Sequence, residues 1–175
     1  AVDPCWPSWR RGHWHPSWCA VLAGFGTFEV LALAGGKGLE AVITTSAATP
    51  PASLAALVEY ALGNASSSGG AMRARDGRAR PYAAFRSVEL GNEEDNPSFV
   101  AQAAAMEERA RALGLAGRLA YLYPSPGPST DGFLSGSALA AAKALVPRID
   151  SQLVASVHVG HHYDGYAAGG AVRIA

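Results

Sequence analysis

Apolar residues along the chain fall into short β-branched runs separated by longer stretches with helical spacing. Thr27 to Ala34 predicts a short helix closed by Gly35-Gly36, and Leu39 to Thr45 (LEAVITT) predicts a buried strand. Thr49 is then placed to cap a helix whose first turn holds Pro50 and Pro51. Its apolar positions Leu54, Leu57, Val58, Ala61 and Leu62 recur on one face, and Gly63 stops it. Residues 64–81, rich in Ser, Gly and Arg, read as a polar loop. Phe85 to Leu90 is the next strand, and Pro97 to Leu113 the next helix, with Phe99, Ala103, Met106, Ala110 and Leu113 on its stripe. Arg118 to Tyr123 predicts a third strand and Pro124 to Gly132 a loop. A helix over Leu134 to Val146 ended by Pro147 follows, then a fourth strand from Leu153 to Val159.

Strand and helix therefore alternate four times, with crossovers long enough for parallel strands. This is α/β architecture, either a (β/α)8 barrel or an open doubly wound sheet. The C-terminal strand ends favour the barrel. Each runs into polar or reactive groups: Thr44-Thr45-Ser46, Asn92-Glu93, Tyr123 with Ser125, and His161-His162-Tyr163. Barrel enzymes collect their chemistry at that end, because strand ends and the following loops converge there.

The 175 residues suffice for one domain with a sizeable core. Fourteen basic residues offset fourteen acidic ones, so there is no electrostatic footprint for nucleic acid or an anionic membrane. The longest apolar run, Cys19 to Gly36, is broken by Glu29 and glycines and makes a poor membrane span. The two cysteines, Cys5 and Cys19, can pair in an oxidising compartment but decide nothing about location. The first residues carry no signal-peptide core and no initiator methionine, so the chain reads as a mature form or a fragment. An extracellular location is expected, with a cytoplasmic one open; the oligomeric state is not legible.

Glu93 is the leading candidate for chemistry. A carboxyl group just past a buried strand sits where partial desolvation raises its pKa, as a general acid for a glycosidic oxygen requires. Asn92 beside it offers an amide to a sugar hydroxyl. The competing reading makes Glu93, Glu94 and Asp95 the acidic start of the following helix, favoured by its dipole. Glu89, inside the strand, reads as a buried hydrogen-bonding partner.

The stretch from Ala41 to Glu93 resembles the α-L-arabinofuranosidases of glycoside hydrolase family fifty-one. The residues that carry the resemblance are Ile43-Thr44-Thr45, Leu57-Val58-Glu59-Tyr60, Met72-Arg73-Ala74, Asp76-Gly77, Pro81-Tyr82 and Glu89-Leu90-Gly91-Asn92-Glu93, in the family's order and approximate spacing. Arg11-Gly12-His13-Trp14, Gly24 to Glu29 and His161-His162-Tyr163 extend it more loosely. The resemblance implies a (β/α)8 barrel and retaining hydrolysis of terminal α-L-arabinofuranosyl groups in oligo- or polysaccharides, without a cofactor. It implies Glu93 as acid/base, with Asn92, His161 and Tyr163 on the substrate. A retaining enzyme needs a second carboxylate about 5 Å away as nucleophile. The acid after Asp150 is Asp164, which matches no family nucleophile. Four strands do not close a barrel, so the chain is expected to be a central part of a single barrel domain, incomplete at both ends. Two alternatives stay open: a non-catalytic or degenerate carbohydrate-binding relative, and a retaining glycosidase of other sugar specificity.

Other features weigh less. His13-Trp14-His15 and His161-His162 lack further ligands at metal spacing and read as core or cleft histidines. Gly35-Gly36-Lys37-Gly38 lacks the Ser/Thr end of a phosphate loop and reads as a helix stop and turn. Trp6, Trp9, Trp14 and Trp18 suit either sugar stacking or packing. Asn64-Ala65-Ser66 is an acceptor sequence for N-glycosylation and gives weak support for secretion.

Overall fold

A computed structural model describes residues 26–91, 96–124, 140 and 143–156. The predicted Trp-rich segment, Cys5 and Cys19, most of the loop and helix between Pro124 and Leu145, and the end of the fourth strand lie outside the described residues.

The described elements are α1 (Thr27–Gly36), β1 (Ala41–Thr44), α2 (Pro51–Leu62), α3 (Ser68–Arg75), β2 (Phe85–Glu89), α4 (Ser98–Ala112), β3 (Ala120–Pro124), a 3-10 turn (Val146–Arg148) and β4 (Gln152–Ser156). The four strands form one sheet in the order β1-β2-β3-β4, and every neighbouring pair is parallel. Parallel neighbours in sequence order, each joined through helix, are the βαβ pattern that the spacing predicts. The fold is thus α/β, with four parallel strands alternating with helices, consistent with part of a TIM-barrel-like fold.

Helices cover one face of the sheet. Ile43, Val88, Leu90, Tyr121 and Tyr123 are buried on that side, where α4 sets Phe99 edge-on to the Tyr123 ring at 6.3 Å between centroids. The stripe Phe99, Ala103, Met106 and Ala110 is fully buried, as its spacing predicts, while Leu113 is partly buried. Among the described residues no helix covers the opposite face. Thr44, Glu89, Leu122 and Val154 form one row across it by register, and Val42 and Val154 are 53% and 40% exposed. One irregularity sets this division. Ala41 pairs with Phe85 but Val42 pairs with Ser87, so Arg86 is an extra residue in β2. Phe85 and Val88 are therefore both buried, and Glu89 falls on the open face.

Three local expectations are corrected. Residues 64–81 are not all loop, because Ser68–Arg75 is helical. Ser67 caps it, its hydroxyl accepting from Gly70 N–H. Arg73 is fully buried and donates to the carbonyls of Tyr60, Gly63 and Ala79. Its guanidinium satisfies the end of α2, and burial lowers its pKa from the usual arginine range. Gly69 and Gly70 allow the close approach, since a side chain at either would collide with backbone at Glu59 or Asn64. The second correction concerns Thr49. Pro50 occupies the cap position of α2 with no side-chain cap bond, while the Thr49 carbonyl is taken by Gln102. Gly35-Gly36 end inside α1 rather than after it, and Gly38 turns the chain with φ +70°.

A buried polar network ties the sheet to α4 at the end where the strands begin. Glu107, fully buried, accepts hydrogen bonds from Tyr121 Oη (3.2 Å), Ser151 Oγ (2.6 Å) and Asp150 N–H (3.0 Å). Burial, with Glu107 alongside, pushes the Tyr121 phenol well above its ordinary pKa, so it serves as a permanent donor.

Candidate functional site

The rim where β1 and β2 end is assembled from main chain first. Thr45 N–H donates to Glu89 O at 2.8 Å and Leu90 N–H to Leu122 O at 2.8 Å, extending both ladders past the regular strands. The first half of α4 then braces the loop after β1. Gln102 Nε2 donates to the carbonyls of Ser46 (2.8 Å) and Thr49 (2.7 Å), and Ser98 Oγ donates to Ala47 O at 3.3 Å. The Thr45 hydroxyl lies 3.4 Å from Gln102 Oε1, in a buried position. Gln102 uses both ends of its amide and leaves no buried polar group unpaired there.

On the open face the rim carries Thr44 and Glu89 side by side. Thr44 Oγ1 donates to Glu89 Oε2 at 2.7 Å, across the β1–β2 pair. Glu89 is thus a hydrogen-bonding partner, as its position in the strand suggests, but half-buried and facing away from the helices. Thr45 and Tyr123, which the sequence groups with the reactive strand ends, face the other way. Both are buried against α4, Tyr123 at 1% exposure.

The next step is taken by Gly91, whose φ of +87° belongs to the left-handed region. A side chain there would overlap the Phe99 ring. Backbone conformation and contact with α4 therefore both require glycine at the position preceding Asn92-Glu93. Asn92, Glu93, His161 and Tyr163 themselves lie outside the described residues, as do His13, His15 and His162. Among the described residues no cluster of three or more His, Cys, Asp or Glu could hold a metal ion. No helix among them is long and apolar enough to cross a membrane.

Sequence reasoning missed the brace formed by Gln102. Its signal was present, since positions 99, 102, 103, 106, 107 and 110 complete one helical stripe in which Gln102 and Glu107 are the polar members. Polar residues inside an apolar stripe are buried only with partners, and each of these has them.

No protein-family model matches the chain, and none of the curated proteins does. Among solved structures it is similar to the arabinofuranosidase of glycoside hydrolase family 51 from Xanthomonas axonopodis pv. citri. The TM-score is 0.39 and the identity 16%, over 77% of this chain and 40% of that one. The chain spans less than half the length of that structure.

Proposed function

We propose that this chain carries part of the catalytic sheet of a retaining glycoside hydrolase that releases terminal α-L-arabinofuranosyl groups from arabinose-containing oligo- or polysaccharides. The observation that carries the reading is the segment Glu89-Leu90-Gly91-Asn92-Glu93. Its first residue ends an interior strand of a parallel sheet at the C-terminal rim, and its glycine is required by a left-handed backbone packed on α4. Chemistry in such sheets gathers at that rim. The motif and its surroundings resemble those of the arabinofuranosidases, and the strand order agrees with the barrel that the resemblance implies.

In this reading Glu93 protonates the leaving oxygen and afterwards activates water for the second displacement. Asn92 holds a sugar hydroxyl, and His161 and Tyr163 line the same cleft from a later strand end. A carboxylate nucleophile completes the pair, and no residue of this chain is assigned that role. A polymeric substrate fits an extracellular setting.

The test is hydrolysis by Glu93→Gln. Turnover of the protein on an arabinofuranoside with a poor leaving group is expected to fall by about a hundredfold or more, the scale of a lost general acid. An activated aryl leaving group, which needs little protonation, should suffer much less in the first step. Unchanged turnover on the poor leaving group would reject Glu93 as the acid. A panel of chromogenic glycosides checks the sugar.

A further inference from the structure

We propose that Asn64 is an acceptor for an N-linked oligosaccharide, displayed on the turn between α2 and α3 at the end of the sheet remote from the rim. The residue types are right: Asn64-Ala65-Ser66 has a hydroxyl two residues after the amide and no proline between them. The structure adds three observations that the motif alone lacks.

First, the turn is exposed. Asn64, Ala65 and Ser66 are all solvent-facing, whereas the preceding helix end at Ala61, Leu62 and Gly63 is buried. Second, the two halves of the Asn64 amide are used differently. Its Oδ1 accepts from Ser66 N–H (2.9 Å), Ser66 Oγ (2.6 Å) and Ser67 N–H (3.3 Å). Its Nδ2 makes no hydrogen bond among the described residues. Glycosylation replaces one of two hydrogens on Nδ2 and leaves Oδ1 an acceptor, so the bonds that shape the turn survive the modification. Third, the location spares the site. Helix α2 starts beside the rim, where Gln102 holds the Thr49 carbonyl, and its 12 residues carry the chain about 18 Å away at the helical rise. A bulky glycan on Asn64 therefore projects from the opposite end of the sheet.

The transfer requires a lipid-diphosphate-linked oligosaccharide as donor. Asn64 Nδ2 forms a bond to the anomeric carbon while the bond from that carbon to the diphosphate oxygen breaks. The electron pair leaves with the lipid diphosphate, and one amide proton passes to a base of the transferase.

The full chain, secreted from a eukaryotic host, is expected to lose the mass of one oligosaccharide on treatment with peptide N-glycanase, leaving Asp in place of Asn at position 64. Asn64→Asp keeps the acceptor oxygen and should abolish the modification, as should Ser66→Ala, whereas Ser66→Thr should retain it. Thermal midpoints of glycosylated and enzymatically deglycosylated protein should coincide. Secreted wild-type chain with an unmodified Asn64, from cells that glycosylate a control protein, would overturn the proposal. So would a glycan that survives in Ser66→Ala. Arabinofuranosidase activity plays no part in this readout, so the two assignments stand or fall separately.

Discussion

A single glycine makes the tightest demand in the rim. At Gly91 the backbone is left-handed and the space for a side chain is filled by Phe99, two independent reasons against any other residue. Gly91→Ala should cost about 2–6 kcal/mol, combining strain of roughly 1–3 kcal/mol with a similar range for overpacking. A urea denaturation series reads the loss, and under the proposed function hydrolysis by the protein should fall with it, because Gly91 immediately precedes Asn92-Glu93. A fully stable, fully active alanine variant would show that this turn does not set the rim. The glycine was legible in the sequence as part of a motif, but its physical reason was not, since contact with Phe99 depends on how α4 lies. Glu89 was legible as a bonded strand acid; its partner Thr44, 45 positions away, emerged only with the strand register.

Among the elements, regular strands and apolar helices were readable because a single face decides them. Ile43, Val88, Leu54, Leu57, Val58, Phe99, Ala103 and Met106 all lie in the core at the positions their spacing indicates. Helix α3 was not readable, because it holds no apolar stripe and is organised around a buried arginine and two close-packed glycines. Its start is also tied to α2 by Glu59. That side chain is 12% exposed, accepts from Ser68 Oγ (2.8 Å) and Gly69 N–H (3.2 Å), and meets Arg109 of α4 at 3.3 Å. Desolvation alone would raise its pKa, but these hydrogen bonds and the arginine outweigh it and hold the carboxyl below the ordinary value. A depressed folded-state pKa contributes stability that is complete above the unfolded value and disappears as pH falls through the folded one. The urea midpoint of wild type should therefore drop more steeply on acidification through the carboxylate range than that of Glu59→Gln. Parallel acid limbs for the two proteins would remove Glu59 from this role.

Across the whole molecule, the two ends of the sheet are held by different means. The rim is braced by the Gln102 amide, and the opposite end by Glu107 beneath β3 and β4. Glu107→Ala would strand two buried hydroxyl donors and a part-buried N–H, the buried ones costing about 1–3 kcal/mol each when unpaired, so a loss of about 2 kcal/mol or more is expected in chemical denaturation. Amide hydrogen exchange in β4 should accelerate with it, because β4 joins the sheet by its β3 ladder and this anchor. Unaltered β4 protection in that variant would mean the ladder alone suffices. The alternation of strand and helix was legible in the sequence because it rests on periodicity. These polar ties were not, because they link residues 14 to 56 positions apart on different elements.

The extra residue in β2 has a consequence for the segment that leads to the rim. Were the bulge flattened with Arg86 kept in the ladder, strict alternation would return, and either Phe85 would leave the interior or Glu89 would enter it. The bulge residue can be lost only together with the bulge, and then Phe85, Val88 and Leu90 still point inward and Glu89 outward. Kindred chains can be expected to carry either the bulge or a strand one residue shorter here, and to keep the glycine of position 91 in both.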